Sequence, residues 1–307
     1  MASLDERLSN GRTVIMDGGV STEMERKGLA MNDEVWSGIA HVVNADIVRE
    51  VHEDYIKAGA EIITANSFAA APHVLEGVGK RDDANQINHD AIKLAQQARD
   101  NVASVDVWIA GSMSSMPSLE NIAVTATGPD ARESYRQQAT VLAEAGCDLI
   151  LAEMMIDTEN TTLVLEAAKE TGLPVWIGFS AATDDKGEVT AYHAEIDFAD
   201  MPPGDFGEVA DNALAFEGQA AGIMHSEIED TTPALDMLRE HWSGPLMAYA
   251  ETGKFTNPHW DFSRAVSPDD YAEIAADWVA NHGVSIVGGC CGTGADHIRA
   301  LSARLAG

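Results

Sequence analysis

Cys290 and Cys291 stand side by side in the run Gly288-Gly289-Cys290-Cys291-Gly292. On a regular strand, neighbouring side chains point to opposite faces and could not share a ligand. Flanking glycines let the chain leave strand geometry, so both sulfurs can turn towards one point. Two converging thiolates suit a soft metal ion, with Zn2+ the first choice. Two inert buried cysteines or a vicinal disulfide are the other readings of the pair. His225, which follows Gly222-Ile223-Met224, would add an imidazole nitrogen to the same ion. A histidine and two cysteines leave one tetrahedral position open, the pattern of a catalytic zinc. Taken alone, His225 reads as a hydrogen-bonded histidine at a strand end. Two carboxylates extend the set. Asp17, followed by Gly18 and Gly19, can hold a substrate ammonium, present backbone amides to a carboxylate, or simply form a turn. Glu153 follows the apolar run Leu149–Ala152 and, so near a core, needs a Lys, an Arg or a cationic ligand beside it. Cys147, at a helix–strand junction, reads as core.

These residues must be positioned by regular elements, and the chain supplies them repeatedly. Short apolar runs occur at Thr13–Met16, Glu61–Thr64, Val107–Ala110, Leu149–Ala152, Val175–Gly178, Ala221–Met224, Leu246–Tyr249 and Ser285–Val287. Helical periodicity fills segments between them, as at Asp46–Ala58, Asp83–Ala98 and Ala131–Ala145. Gly59, Gly146 and Gly283 each fall where a helix would end just before the next run, the pattern of a helix C-cap feeding a strand. Runs that are apolar throughout imply a parallel sheet covered on both faces. About eight such units predict an α/β chain folded as a single-domain (β/α)8 TIM barrel spanning residues 1–307. A doubly wound sheet is the alternative, but no Gly-x-Gly-x-x-Gly follows the first run. In a barrel the chemistry lies at the C-terminal strand ends, where Asp17, Asn66-Ser67, Gly111-Ser112, Glu153, Ser180, His225, Glu251 and the cysteine pair all fall. The irregular stretches Met113–Asp130 and Ala181–Phe206 are long enough to serve as lids or as solvated loops.

A formal charge of −31 argues against nucleic acid or an anionic membrane as partner. It names no substrate, since scattered surface acid serves solubility. Three cysteines are too few for a disulfide framework and fit a reducing, cytoplasmic setting. The polar start, Met1–Arg12, shows no signal-peptide core, and no apolar stretch is long enough to span a bilayer. Small-molecule substrates are therefore expected as partners, and self-association into a homo-oligomer is left open.

Over nearly the whole chain the sequence resembles the homocysteine S-methyltransferase family. The resemblance is carried by Met16-Asp17-Gly18-Gly19 with Thr22-Glu23, Trp36-Ser37, Thr64-Ala65-Asn66-Ser67-Phe68, Ala110-Gly111-Ser112, Glu153, Gly288-Gly289-Cys290-Cys291-Gly292 and His297-Ile298-Arg299-Ala300. It implies a (β/α)8 barrel of the homocysteine-binding type, with zinc held by three cysteines, one at the sixth strand and two at the eighth. Carried over, Cys290 and Cys291 match the eighth-strand pair, and His225 falls on the sixth-strand cysteine. Asp17 and Glu153 match the carboxylates that hold the homocysteine amino-acid moiety, and Gly18 and Ser67 are expected beside it. The implied reaction is zinc-dependent methyl transfer from a small sulfonium or ammonium donor to the thiol of homocysteine, giving methionine.

The departures from the family cluster around the reaction centre. With His225 for a cysteine, the zinc site becomes formally neutral, and Glu251, in Tyr249-Ala250-Glu251-Thr252-Gly253, would restore the negative charge as a further metal ligand. Gly111-Ser112-Met113-Ser114-Ser115-Met116 lacks the Gly-Pro common after the third strand. Betaine-using relatives carry aromatics after the second strand, whereas Ala69 and Ala70 stand here, leaving Trp36 as the candidate for holding an onium methyl group. An S-methylmethionine-like donor is thus favoured, and a chain of this length has no room for a cobalamin or folate module beside the barrel. Two other readings remain: different metal-dependent chemistry on the same barrel, with Glu153 or Glu251 as general base, and a non-catalytic amino-acid binder.

Overall fold

All eight apolar runs are strands of one parallel sheet. The computed structural model describes residues 3–115, 128–192, 204–256, 259–263 and 265–305. The barrel strands are β1 (Val14–Ile15), β2 (Ile62–Thr64), β3 (Trp108–Ser114), β4 (Leu149–Met155), β5 (Val175–Phe179), β6 (Ala220–Met224), β7 (Leu246–Tyr249) and β8 (Val284–Val287). Each pairs in parallel with its neighbour in sequence, and β8 returns to β1. A parallel bridge between Met16 and Ile62 joins β1 to β2, and Asp17 N–H donates to the Ile62 carbonyl at 2.9 Å. That closure excludes the doubly wound alternative and leaves a (β/α)8 barrel.

The glycine signals work as the sequence implies. Gly59, Gly146 and Gly283 have φ of +111°, +91° and +70°, so each reverses the chain between a helix and the following strand. The helix Ala40–Ala58 begins earlier than the periodicity predicts, because Asn44 (φ −153°, ψ 88°) interrupts it and a separate turn precedes that break. Ala181–Thr183 pair with Val189–Ala191, and these in turn with Gly204-Asp205, in a small antiparallel ladder outside the barrel. Most of the two stretches read as lids, 116–127 and 193–203, lies outside the described residues. No described helix is long and apolar enough to cross a membrane.

Two apolar layers hold the barrel. Alternate strand residues such as Val14, Ile62, Leu149, Trp176, Met247 and Ile286 fill its interior, and the other strand faces pack on the surrounding helices. Burying each large aliphatic side chain contributes roughly 1.5–3 kcal/mol. The interior layer also takes in Leu4 and, partly buried, Leu8, from the short helix Leu4–Ser9. Arg7 on that helix is 6% exposed and forks onto both Glu61 oxygens (2.8 and 2.6 Å) and the carbonyls of Arg12 and Thr13. Glu61 and Thr13 precede β2 and β1, so this helix stoppers the barrel at the end opposite the strand C-termini.

Candidate metal and substrate site

The first residue after β6, His225, has φ +45°, a left-handed backbone that costs a non-glycine residue about 1 kcal/mol or more. That turn takes it out of strand geometry and leaves the side chain 6% exposed. After β8, Gly288 N–H bonds to the Ala248 carbonyl, Gly289 N–H to Asp17 and Cys290 N–H to Ala250, which pins the cysteine loop against both neighbouring strands. Gly292 has φ +84°, and a Cβ there would collide with the Thr252 carbonyl. The loop can therefore fold tightly enough to present both sulfurs on one side.

They meet as expected. Cys290 Sγ lies 3.9 Å from Cys291 Sγ and 3.3 Å from His225 Nδ1, and one donor atom from each of the three residues lies within 4.8 Å of the others. A tetrahedral zinc with bonds of about 2.3 Å to sulfur and about 2.0 Å to nitrogen needs roughly 3.8 Å between sulfurs and roughly 3.5 Å between sulfur and nitrogen. The separations fit that ion, and a disulfide does not form at 3.9 Å. His225 Nδ1 also stands 2.8 Å from Glu251 Oε2, with both residues buried. Burial disfavours a charged His225, but the charges of Glu251 and Cys290 outweigh it and hold the imidazole well above its ordinary range. The hydrogen bond with Cys291, then the His225 charge, pulls the Cys290 thiol down to about 6 against its own burial. By distance and residue type, this donor set could hold a metal ion.

A cavity opens beside the cluster, lined by Asp17, Gly18, Trp36, Glu153, Tyr249 and the three donor residues, among others. Both carboxylates are buried. Asp17 accepts from Thr64 N–H (2.6 Å) and Thr64 Oγ1 (2.9 Å), and burial pushes its carboxyl up to about 7. Glu153 accepts from the Ser112 hydroxyl, and burial, only partly offset by that bond, pushes it up to about 8. No lysine or arginine is among the described residues lining the cavity. Glu153 therefore has no lysine or arginine beside it among those residues, the fixed basic partner that was one of its readings. Gly19 N–H is already bonded to Thr293, so that amide is not offered to a ligand. Ser67 is fully buried with its hydroxyl on the Ser112 carbonyl (2.8 Å), and the cavity is lined instead by its neighbours Asn66 and Phe68. The position expected to touch substrate thus braces β3.

Several cavity residues escape the sequence reading. Tyr249 reads as an ordinary strand residue, yet its ring lines the cavity, and Gly178 makes room for its hydroxyl: a Cβ there would stand 2.7 Å from it. Trp36 (φ +52°) is not the lone aromatic. Phe68 meets it edge-on at 6.4 Å, and a hairpin pairing Lys254–Thr256 with His259–Asp261 brings Phe255 (6.1 Å) and Trp260 (6.2 Å, stacked) against it. Trp260 also lies 6.0 Å from the His225 ring, so the aromatic cluster borders the metal donors. Phe255 and Trp260 sit in strands of only three residues each, too short a pattern to read as strands from the sequence.

Comparison with known proteins places this geometry in context. The family model described as homocysteine S-methyltransferase matches residues 14–305. Homocysteine S-methyltransferase 4 of Zea mays is 25% identical, over 95% of this chain and 89% of its own length. Betaine–homocysteine S-methyltransferase 1 of Mus musculus is 27% identical, over 98% of this chain and 74% of its own. Among solved structures, the metallated form of the homocysteine methyltransferase MmuM from Escherichia coli shares the fold with a TM-score of 0.76 at 23% identity, covering 98% of this chain and 99% of that one. With the matched span running from β1 to the last helix, the chain belongs to the homocysteine S-methyltransferase family.

Proposed function

We propose that the chain transfers a methyl group from a small sulfonium or ammonium donor to the thiol of homocysteine, giving methionine. One observation carries the reading: a single cavity joins a two-sulfur, one-nitrogen donor cluster to two buried carboxylates, with no lysine or arginine among the described residues lining it. Such a cavity suits a ligand that brings its own positive charge and a sulfur. Cys290, Cys291 and His225 would hold the zinc, which when bound lowers the pKa of an incoming thiol so that it is a thiolate at neutral pH. Asp17 and Glu153 take the substrate ammonium, and the ion pairs offset the cost of keeping two carboxylates out of water. Val20 and Ser21 line the same cavity at the start of the helix Val20–Arg26, whose first-turn N–H groups would take the substrate carboxylate. Fixing both ends of the amino acid aims its sulfur at the metal cluster and the donor methyl, which removes most of the orientational cost of the reaction.

Trp36 and Phe68, braced by Phe255 and Trp260, give an onium methyl group aromatic faces to lie on. This second layer of rings weakens the inference drawn from Ala69 and Ala70, so betaine stands beside S-methylmethionine as a donor to be tried. The test incubates zinc-loaded protein with homocysteine and each donor in turn, following methionine. Product from at least one donor, and loss of both zinc and turnover in Cys290→Ala, are expected. Metal bound but no product from any donor would favour an amino-acid binder instead.

A further inference from the structure

We propose that Glu251 is a fourth protein donor to the metal, completing a set of two sulfurs, one nitrogen and one oxygen; this rests on the metal site described above. Its Oε2 is 2.8 Å from His225 Nδ1, the same ring atom that faces Cys290 Sγ at 3.3 Å. An imidazole nitrogen has one lone pair, so once Nδ1 binds a metal it carries no proton and its contact with Glu251 is lost. The carboxylate cannot then turn to water, because Glu251 is 3% exposed. Apart from His225, no hydrogen-bond donor among the described residues reaches Oε2. The backbone also holds it in place. Glu251 N–H donates to Ser226 (3.0 Å), the flanking Ala250 carbonyl accepts from Cys290 (2.9 Å), and Thr252 N–H donates to Cys291 (2.8 Å). A metal bound by the other three residues leaves this carboxylate either coordinated or as an isolated buried charge, and the second is strongly disfavoured.

The charge count points the same way. Two thiolates and a neutral imidazole only balance a divalent ion, and Glu251 gives the set the net negative charge that a third thiolate would. His225 and Glu251 thus divide one cysteine's work, the nitrogen supplying a bond and the carboxylate supplying charge. An oxygen is the poorest match to zinc of these four donors, so Glu251 would be the one to give way to a substrate sulfur.

Cobalt-substituted protein tests this, because visible bands report the coordination of the ion directly. Wild type, Glu251→Gln and Glu251→Ala are compared with cobalt alone, then with azide, then with homocysteine, and zinc affinity is measured by chelator competition. Azide should leave the wild-type spectrum unchanged and shift that of Glu251→Ala, where the fourth place is vacant. Zinc affinity should fall at least about tenfold in both variants. With homocysteine the spectra should converge, since sulfur then fills the fourth place in all three. Equal azide uptake by wild type and Glu251→Ala, or unchanged spectra and zinc affinity in the near-isosteric Glu251→Gln, would overturn the assignment. Wild type that takes up neither cobalt nor zinc would remove the metal site itself, an outcome distinct from a bound metal with an idle Glu251.

Discussion

Replacing Glu153 with glutamine should stabilise the ligand-free protein while abolishing its activity. Glu153 is 6% exposed and has the Ser112 hydroxyl as donor, and burial moves its pKa from 4.5 to about 8. Between those values the folded state binds more protons than the unfolded state, so stability falls as pH rises through the window. At about 1.4 kcal/mol per pH unit, the deficit approaches about 3 kcal/mol at pH 7 and about 5 kcal/mol at pH 8 and above. Glutamine keeps the shape and the acceptor for Ser112 but removes the charge. Urea unfolding of metal-free protein should therefore show little difference between variant and wild type near pH 5, and a variant more stable by about 3 kcal/mol at pH 7. Calorimetry on the zinc-loaded variant should show homocysteine binding weakened at least about thirtyfold, since the ammonium loses a buried ionic partner. A stability difference that does not change with pH, or homocysteine binding equal to wild type, would refute the reasoning.

Gly292→Ala places a Cβ against the Thr252 carbonyl at φ +84°, and should lower stability by at least about 2 kcal/mol, seen as a reduced Tm, together with zinc affinity. His52 is fully buried with neither ring nitrogen hydrogen-bonded among the described residues, and burial lowers its pKa to about 4. The unfolded state therefore takes up the proton first, and stability is lost as pH falls from 6.5 towards 4, by about 3 kcal/mol in all. His52→Leu should flatten that part of the acid-unfolding curve, and an unchanged pH dependence would show that His52 is not the group responsible. Trp36→Ala should raise the KM for the methyl donor about tenfold while leaving homocysteine affinity near wild type.

The barrel is legible in the sequence because parallel strands buried on both faces read as uninterrupted apolar runs, and because Gly59, Gly146 and Gly283 mark the helix ends with a conformation few other residues tolerate. The cysteine pair and His225 are legible for the same reason: their chemistry and their place at strand ends agree. The remainder is set by tertiary packing. Trp36, Met154 and His225 all adopt positive φ near the site, and nothing in their residue types announces it. Ser67 and Phe68 are adjacent in one motif, yet the turn after β2 gives the cavity to Phe68 and the β3 backbone to Ser67. The rings of Phe255 and Trp260 become neighbours of Trp36 only once a hairpin of three-residue strands folds over them.

The Leu4–Ser9 plug, tied down by Arg7 and Glu61, has a corollary for stability. Leu4 and Leu8 close the lower side of the side-chain layer that fills the barrel, so a chain shortened past residue 9 would bare that layer to water and strip Glu61 of its guanidinium. The loss would fall on folding, at the end remote from the metal donors, and would show as a lower Tm.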